Sequence, residues 1–353
     1  MKKVSILFVT ILVSSLFFSC RSFRIIDIET YNPSAITFPP EIKTIMIVNN
    51  SAQQPDHVGH RFVSNSKNDS ILFVSTDSLA YIFCKSLGKA IAESPVFYDV
   101  RLCEDTLRRD SLFYNTTQFA PYEATSFCAD YGVDALISLD KLFFTTVFQD
   151  NAMTKFNFAN KIISVQITGE VRVFWPGQKD VYVIPFVDSL SWRFDERDYL
   201  KYILEGISET EIRFSMFYAS DITGQKMQVN FVPFWSEEHR WYYTNITSEW
   251  KQGTAFAAAE KWEDAAEIWE PLFLKVKKWQ QKARLASNIA LCNEMAGNFK
   301  KAIEYAEISY GLFKEYDYEN SSYTSIQDNY INILKKRMEA EKALSEQLRE
   351  TKK

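Results

Sequence analysis

Few side chains in this sequence have the types and spacing that could do chemistry. Asp56, His57 and His60 stand close together in QQPDHVGHRF, and imidazole and carboxylate groups at such spacing can bind a transition metal. A tight metal site needs three or four fixed ligands, and this segment is typical of a polar loop, which fixes none. We therefore predict no metal site and interpret both histidines as solvated.

The sequence supports nucleophilic catalysis no better than it supports metal binding. Ser86 and Lys89 have the S-x-x-K spacing of penicillin-binding enzymes, but no K-T-G or S-D-N motif accompanies them. G-x-S-x-G, G-x-G-x-x-G and P-loop motifs are absent, and the chain has only 10 glycines. We predict that the protein is not an enzyme and has no cofactor. An enzymatic site, if there is one, is expected at the carboxyl ends of parallel strands.

The composition is that of an ordinary globular protein. Of the 353 residues 24% are charged, and the formal net charge is only -5. Because nucleic-acid binding requires a basic surface, we predict that nucleic acid is not a partner.

Cys20 ends an N-terminal segment with the features of an export signal. Met1-Lys2-Lys3 is basic, and residues 4–18 form an uncharged run too short to span a bilayer core of about 30 Å. Preceded by Ser19, Cys20 resembles the lipobox cysteine of bacterial lipoproteins, with Phe17 where most lipoboxes carry Leu. The resemblance implies a signal peptide over residues 1–19, cleavage before Cys20 and lipidation of its thiol.

The other cysteines are Cys84, Cys103, Cys128 and Cys292, with no C-x-x-C pair. In an exported protein two of the first three can form a disulfide. Cys84 and Cys128 lie on apolar faces of helical patterns, where buried thiols are common. Both possibilities stay open at this point.

Residues 41–243 have the pattern of a mixed α/β domain, preceded by a spacer over residues 20–40 that ends in TFPP. Apolar runs of strand type begin at Lys43, Val96 and Val133, and helical patterns begin at Ser78 and Pro121. This β-α-β-α-β order predicts right-handed crossovers and a partly parallel sheet.

A strand pair and a helix follow. KIISVQITGEVRVFW alternates, so an antiparallel strand is expected with Ile163, Val165, Ile167, Val171 and Val173 on one face. VYVIPFVDSLSWRF is apolar on both faces and is expected to lie deeper. A helix from about Asp195 is predicted to turn Tyr199, Leu200, Ile203, Leu204, Ile207 and Phe214 inward.

This element order resembles the α/β domain of curli-secretion channel lipoproteins and related periplasmic lipoproteins, over roughly residues 40–220. The resemblance implies an alternative role, a ring-forming assembly or secretion accessory lipoprotein. A membrane-spanning hairpin needs polar and apolar residues to alternate in both strands, and Tyr182, Phe186 and Trp192 occupy the face that would be polar. A sheet packed by helices is the expected form.

The C-terminal third contains an internal repeat. Small residues match at 253 and 290, aromatic residues at 262 and 299, and alanines at 265 and 302, an offset of 37. This pattern resembles the tetratricopeptide repeat of 34 residues. It predicts two repeats over residues 244–321 and a long capping helix over residues 322–353.

The first helix of each tetratricopeptide repeat lines a concave groove, and the resemblance places six residues there. They are Trp250, Arg284, Ser287, Asn288, Leu291 and Glu294. Arg284 and Asn288, one turn apart, are suited to a peptide carboxylate or backbone. An exposed helix face with a packed Asn is the open alternative.

Asp-Ser/Thr-apolar triplets recur and resemble O-glycosylation acceptors of Bacteroidota. Ser70, Thr106 and Ser111 are the candidates, because they are expected in loops, whereas Ser78 and Ser189 are expected in regular elements.

The whole layout resembles an uncharacterised family of Bacteroidota lipoproteins, with an α/β domain followed by tetratricopeptide-like repeats. We expect a lipid-anchored scaffold at the outer membrane or periplasmic face. Its expected partners are other envelope proteins or peptides, through the repeat groove, and the membrane, through lipidated Cys20.

Overall fold

The computed structural model describes residues 23–64, 67–108, 112–115, 118–151, 160–194, 209–316 and 321–349. The predicted signal peptide, Cys20 and Ser111 lie outside them. The chain divides into two compact units. One joins the N-terminal segment through Asn32 to Trp235–Glu346, and the other comprises Pro33–Phe234 with the residues from Gln347 on.

The first described element, strand β1 (Phe23–Asn32), belongs to the unit that contains the helical repeats. The α/β unit follows. Its strands are β2 (Thr44–Asn49), β3 (His60–Ser64), β4 (Lys67–Ile71), β5 (Asp99–Thr106), β6 (Ala135–Asn151), β7 (Asn160–Phe174) and β8 (Tyr182–Phe194). Its helices are α1 (Leu79–Ala92), α2 (Pro121–Tyr131) and α3 (Glu209–Lys226), and a single 3-10 turn, Met227–Asn230, follows α3.

The centre of the sheet is parallel, as the element order predicts. β2 pairs in parallel with β5 and with β6, so Ile45 lies beside both Val100 and Ala135. Because β2 is covered on both sides, its apolar residues are buried without alternation. Helix α1 packs against the face that includes Ile45, and α2 packs against the opposite face, which includes Met46.

The antiparallel part confirms one prediction and corrects another. β7 pairs with β6, and the five residues predicted to face inward, Ile163 to Val173, are 0–1% exposed. β8 was expected to lie deeper, but it is an edge strand that pairs only with β7 among the described residues. Val183 and Val187 are 47% and 66% exposed, because only one face of β8 is covered.

Two further expectations for the α/β unit need correction. The polar segment around His60 forms the hairpin β3–β4, and β3 extends the sheet beside the second half of β6. Only residues from Glu209 on are described for the predicted third helix, and there Phe214 is 67% exposed. The buried face of α3 carries Ile212, Met216 and Ala219 instead, and the other five predicted positions lie outside the described residues.

The helical region begins after strand β9 (Phe234–Tyr243). Its helices are α4 (Ser248–Ala258), α5 (Trp262–Lys275), α6 (Trp279–Met295), α7 (Phe299–Tyr316) and α8 (Ser321–Arg349). The matched small position Gly253 explains the tight packing of α4 on α5, since a Cβ atom there would overlap the Trp269 indole. A mixed α/β region followed by an all-helical region is therefore the observed fold class, as predicted.

The predicted spacer is in part a strand. β1 pairs with β9 in a two-stranded sheet, and buried Ile28 and Thr30 alternate with exposed Asp27 and Glu29. This alternation in RIIDIET is the strand signal that the spacer interpretation overlooked. By compactness, the chain from Trp235 to the end of β9 groups with the helices.

Candidate functional site

The structure brings the six predicted groove residues onto one surface, but this surface is covered. Trp250 lies on α4 and the other five lie on α6. Five of the six are buried to 1% exposure or less, and Arg284 is half-buried. The segment that covers much of this surface is strand β9 of the same unit.

Tyr243, the last residue of β9, is held by its backbone. The Asn288 side chain accepts a hydrogen bond from the Tyr243 N–H at 2.7 Å and donates one to the Tyr243 carbonyl at 2.8 Å. The indole N–H of Trp250 donates to the same carbonyl at 2.9 Å. Arg284 lies over the Tyr243 ring, 5.6 Å from its centroid. In the described part of the chain β9 pairs with β1 alone, and these side-chain contacts bind the backbone groups at its end.

A buried ion network holds the middle of β9. The Arg240 guanidinium donates to both carboxylate oxygens of Glu294 at 2.9 and 3.1 Å, and its side chain is 2% exposed. Glu294 also accepts hydrogen bonds from Tyr330 and Arg337 of α8. Burial alone would lower the pKa of Arg240, but the bonds to Glu294 and then to Glu238 outweigh it and raise that pKa. The guanidinium is therefore charged, and the network joins β9, α6 and α8.

The prediction of an open groove is therefore corrected. Ser287 receives a hydrogen bond from Gln327 of α8 at 3.1 Å, and Leu291 packs in the core that includes Tyr242 and Tyr243. Only residues 244–247 separate β9 from α4, so the strand has a high effective concentration in the groove. The sequence could not show this, because the helical pattern says nothing about which segment covers the concave face.

A second groove in the helical unit is open. It has a volume of about 520 Å³ and follows residues 24–29 of β1. Its other walls are Tyr242, Ala257, Ala258, Glu260, Trp262 and Met295. Sequence reasoning missed this site because it treated β1 as a spacer.

The α/β unit has a polar crevice at the carboxyl ends of β2 and β5. Asn49 and Thr106, paired across these strands, both line a cavity of about 340 Å³. The chain leaves β2 toward α1 on one face and leaves β5 toward α2 on the other, which makes this a topological switch point. The crevice is therefore where an α/β sheet commonly binds a ligand.

Buried polar side chains build the crevice. Gln54 accepts a hydrogen bond from the Phe144 N–H at 2.7 Å and donates to the Phe144 carbonyl at 2.9 Å. Asn49 accepts from the Ser51 hydroxyl at 2.7 Å, and the Thr76 hydroxyl donates to the Gln54 carbonyl at 3.0 Å. Arg108, 7% exposed, adds a positive charge to the wall. Such a lining can hold a small polar molecule.

The histidines and cysteines occupy separate environments. His57 is exposed, but His60 is 1% exposed in β3, which corrects the expectation that it is solvated. Cys84, Cys103, Cys128 and Cys292 are buried free thiols, and burial raises the pKa of Cys128 to about 11. Within the described ranges no group of three or more His, Cys, Asp and Glu residues is placed to hold a metal ion.

Two of the three candidate glycosylation residues lie in strands and not in loops. Ser70 is exposed in β4, and Thr106 is exposed at the end of β5, where its hydroxyl lies 3.5 Å from the Asn49 side-chain nitrogen. Ser111 and Cys20 lie outside the described residues. Among the helices that the structure describes, none is both long and apolar enough to cross a membrane.

The fold defines a two-part protein, a mixed α/β domain followed by a helical, repeat-like region. Residues 42–243 match the family described as a Domain of unknown function (DUF8603), and residues 251–336 match a second Domain of unknown function (DUF6340). Because the first match covers more than half of the chain, the protein belongs to the DUF8603 family. Both domains are uncharacterised, in keeping with the resemblance drawn from the sequence.

A solved structure titled "Crystal structure of uncharacterized protein" is similar at 10% identity, over 53% of this chain and 97% of that chain. Its TM-score of 0.24 is too low to support a structural argument. No protein with curated annotation matches the chain.

Proposed function

We propose that this is a lipid-anchored cell-envelope protein whose helical region is a protein-interaction module. The observation that carries the proposal is the binding of β9 by α4, α6 and α8. The Asn288 side chain binds the backbone of β9, and Glu294 binds the buried Arg240 side chain. Contacts to backbone and to one specific side chain are the means by which protein modules recognise extended segments.

The proposed anchor is Cys20. Only Arg21 and Ser22 stand between Cys20 and the first residue of β1. Several acyl chains on one cysteine give stable membrane binding, whereas one chain binds marginally. We place the protein at the outer membrane or the periplasmic face, with other envelope proteins as partners and without an enzymatic activity.

Fractionation and co-purification test the two halves of this proposal separately. Cys20→Ser is expected to shift the protein from the membrane fraction to the soluble fraction, whereas Ser22→Ala, beside it, is expected to leave the distribution unchanged. Chemical crosslinking in isolated membranes, followed by mass spectrometry, is expected to recover the same envelope protein repeatedly. Membrane retention of Cys20→Ser contradicts the anchor, and recovery of uncrosslinked chain alone contradicts the interaction role.

An exposed apolar surface favours a second candidate, the ring-forming assembly role of the α/β unit. Tyr182, Val183 and Val187 are exposed on edge strand β8, and the α3 side chains Phe214 and Phe217 are exposed as well. Unprotected strand edges and apolar patches favour self-association. Light scattering on the chain without its leader is expected to show an oligomer that Val187→Lys dissociates. A monomer at every concentration contradicts this role.

A further inference from the structure

Among the described residues, strand β1 has one paired edge and one edge without a neighbouring strand. β9 pairs with one edge, and no other strand in the described part of the chain pairs with β1. The groove of about 520 Å³ includes β1 residues 24–29 in its wall. It therefore offers an extended chain unused backbone donors and acceptors, together with space for its side chains.

The groove has an apolar lining. Ile26 and Ile28 of β1, Tyr242 of β9, and Trp262 and Met295 of the helices all line it. Trp262 and Met295 are only partly buried, so both present apolar surface to an occupant. Met adapts its shape to different side chains. In an added strand alternate residues would point to this lining, so every second residue is expected to be apolar.

The charged side chains of the groove are mainly acidic. Asp27, Glu29 and Glu260 line it with Arg24 as the one basic side chain. Asp27 lies 2.6 Å from the exposed ring nitrogen of His239. An occupant with basic residues is therefore favoured. A second copy of β1 is disfavoured, because its own Asp27 and Glu29 would face like charges.

We propose that an extended segment of a partner protein, with alternating apolar and basic residues, binds in this groove as a third strand beside β1. The partner strand continues the β1–β9 ladder, places its apolar side chains against Trp262 and Met295, and places its basic side chains near Glu29 and Glu260. This inference rests on the proposed interaction role and names its site and partner chemistry.

A synthetic peptide of alternating valine and lysine is the probe, with a valine–glutamate peptide as its charge control. Fluorescence anisotropy on the chain without its leader is expected to show binding of the lysine peptide only. Ala258→Arg fills the groove and adds positive charge, so it is expected to weaken binding at least about tenfold, a change of about 1.4 kcal/mol. Ala255→Arg is the matched control, because Ala255 is exposed on the same helix and does not line the groove.

Three outcomes overturn the inference: no binding of the lysine peptide, equal binding of both peptides, or equal loss in the two arginine variants. Hydrogen exchange gives an independent measurement, since the bound peptide is expected to slow exchange of β1 amides.

Photo-crosslinking in membranes separates this inference from the broader proposal. A crosslinker at Ile25 borders the groove, and one at Ile308 on α7 does not line it. A partner captured from Ile25 supports the site, and its loss in Ala258→Arg connects the capture to the groove. A partner captured only from Ile308 overturns the site and leaves the interaction role intact. Capture from neither position counts against the interaction role itself.

Discussion

Asn288 and Tyr243, 45 residues apart in the chain, form a reciprocal pair of hydrogen bonds between one side chain and one backbone. The side-chain amide of Asn288 uses its oxygen as an acceptor and its NH₂ group as a donor, as a backbone partner would. It therefore satisfies both backbone groups of Tyr243 and fixes the position of β9 along the helices. Asn288 is 0% exposed, so water cannot replace it.

Replacing Asn288 with alanine is expected to destabilise the helical unit by about 2–4 kcal/mol. The substitution leaves the Tyr243 N–H without its partner inside the protein and removes one of the two donors to the carbonyl, and each buried unsatisfied group costs about 1–3 kcal/mol. Urea unfolding followed by tryptophan fluorescence measures the change. Gln280→Ala, at an exposed position of the same helix, is expected to change stability by less than about 0.5 kcal/mol. Equal effects of the two substitutions would show that Asn288 does not hold the strand.

The sequence predicted the helices of this unit but not that strand β9 fills the groove between them. Gly253, Trp262, Ala265 and Trp269 indicated paired helices because helix packing depends on local residue sizes at regular spacing. Strand β9 lies in the groove because of pairings such as Arg240 with Glu294, which are 54 residues apart. No periodic pattern contains such a pairing. Asn288 and Glu294, predicted to bind a partner in the groove, contact β9 of the same chain instead.

The same division applies to the α/β unit. The bounds of α2 were predicted because Pro121 begins it and Gly132, at a φ of 61°, ends it. The depth of β8 in the sheet was not predicted correctly, because its apolar residues are compatible with a central strand and with an edge strand. Strand order decides between them, and strand order depends on pairing between distant segments. The crevice could be predicted in outline, since the β-α-β-α-β order already implies a switch point.

The Glu294 network gives the second prediction. Glu294→Gln removes the negative charge that Arg240 and Arg337 share, at a site where the Glu294 side chain is 0% exposed, and leaves Arg240 with Glu238. Breaking a buried ion pair by removing one partner typically costs about 3–5 kcal/mol, so a loss of about 3 kcal/mol is expected. Urea unfolding measures it, with a loss of β9 protection by hydrogen exchange as a second measurement.

Glu270→Gln is the matched control for that substitution. Glu270 contacts Lys301 at 2.6 Å on the surface, with side-chain exposures of 34% and 47%. Exposed pairs contribute about 0–1 kcal/mol, so the control is expected to lose no more than that. A similar loss in both variants would mean that the buried network is no more important than a surface pair.

His60 gives a prediction about pH. Its burial lowers its pKa from 6.5 to about 4, although the nearby negative charge of Asp56 opposes this shift. The unfolded chain therefore takes up the proton first as the pH falls. The contribution of His60 to stability is complete above about pH 6.5 and is lost toward about pH 4, at up to about 1.4 kcal/mol per pH unit.

Urea unfolding at about pH 7 and about pH 5 tests this dependence. The native chain is expected to lose more stability between the two values than His60→Gln, because the variant has no buried imidazole at position 60 to protonate. His57→Gln, which changes an exposed histidine, is the matched control. Identical pH dependence in all three proteins would remove His60 as its source.

Replacing either of two helical glycines with alanine is expected to change the free energy of unfolding, in opposite directions at the two positions. Gly253 lies where a Cβ atom would overlap the Trp269 indole, which is 0% exposed and cannot move aside without disturbing the core. Gly253→Ala is therefore expected to destabilise the helical unit by about 1–3 kcal/mol, the usual cost of overpacking.

Gly311 in α7 has no atom within 4 Å of the position that a Cβ atom would occupy. Gly311→Ala is therefore expected to stabilise the unit by about 0.5–1 kcal/mol, through helix propensity alone. Thermal unfolding of the two variants separates the effects, and a gain in stability from Gly253→Ala would contradict close packing of α4 against α5.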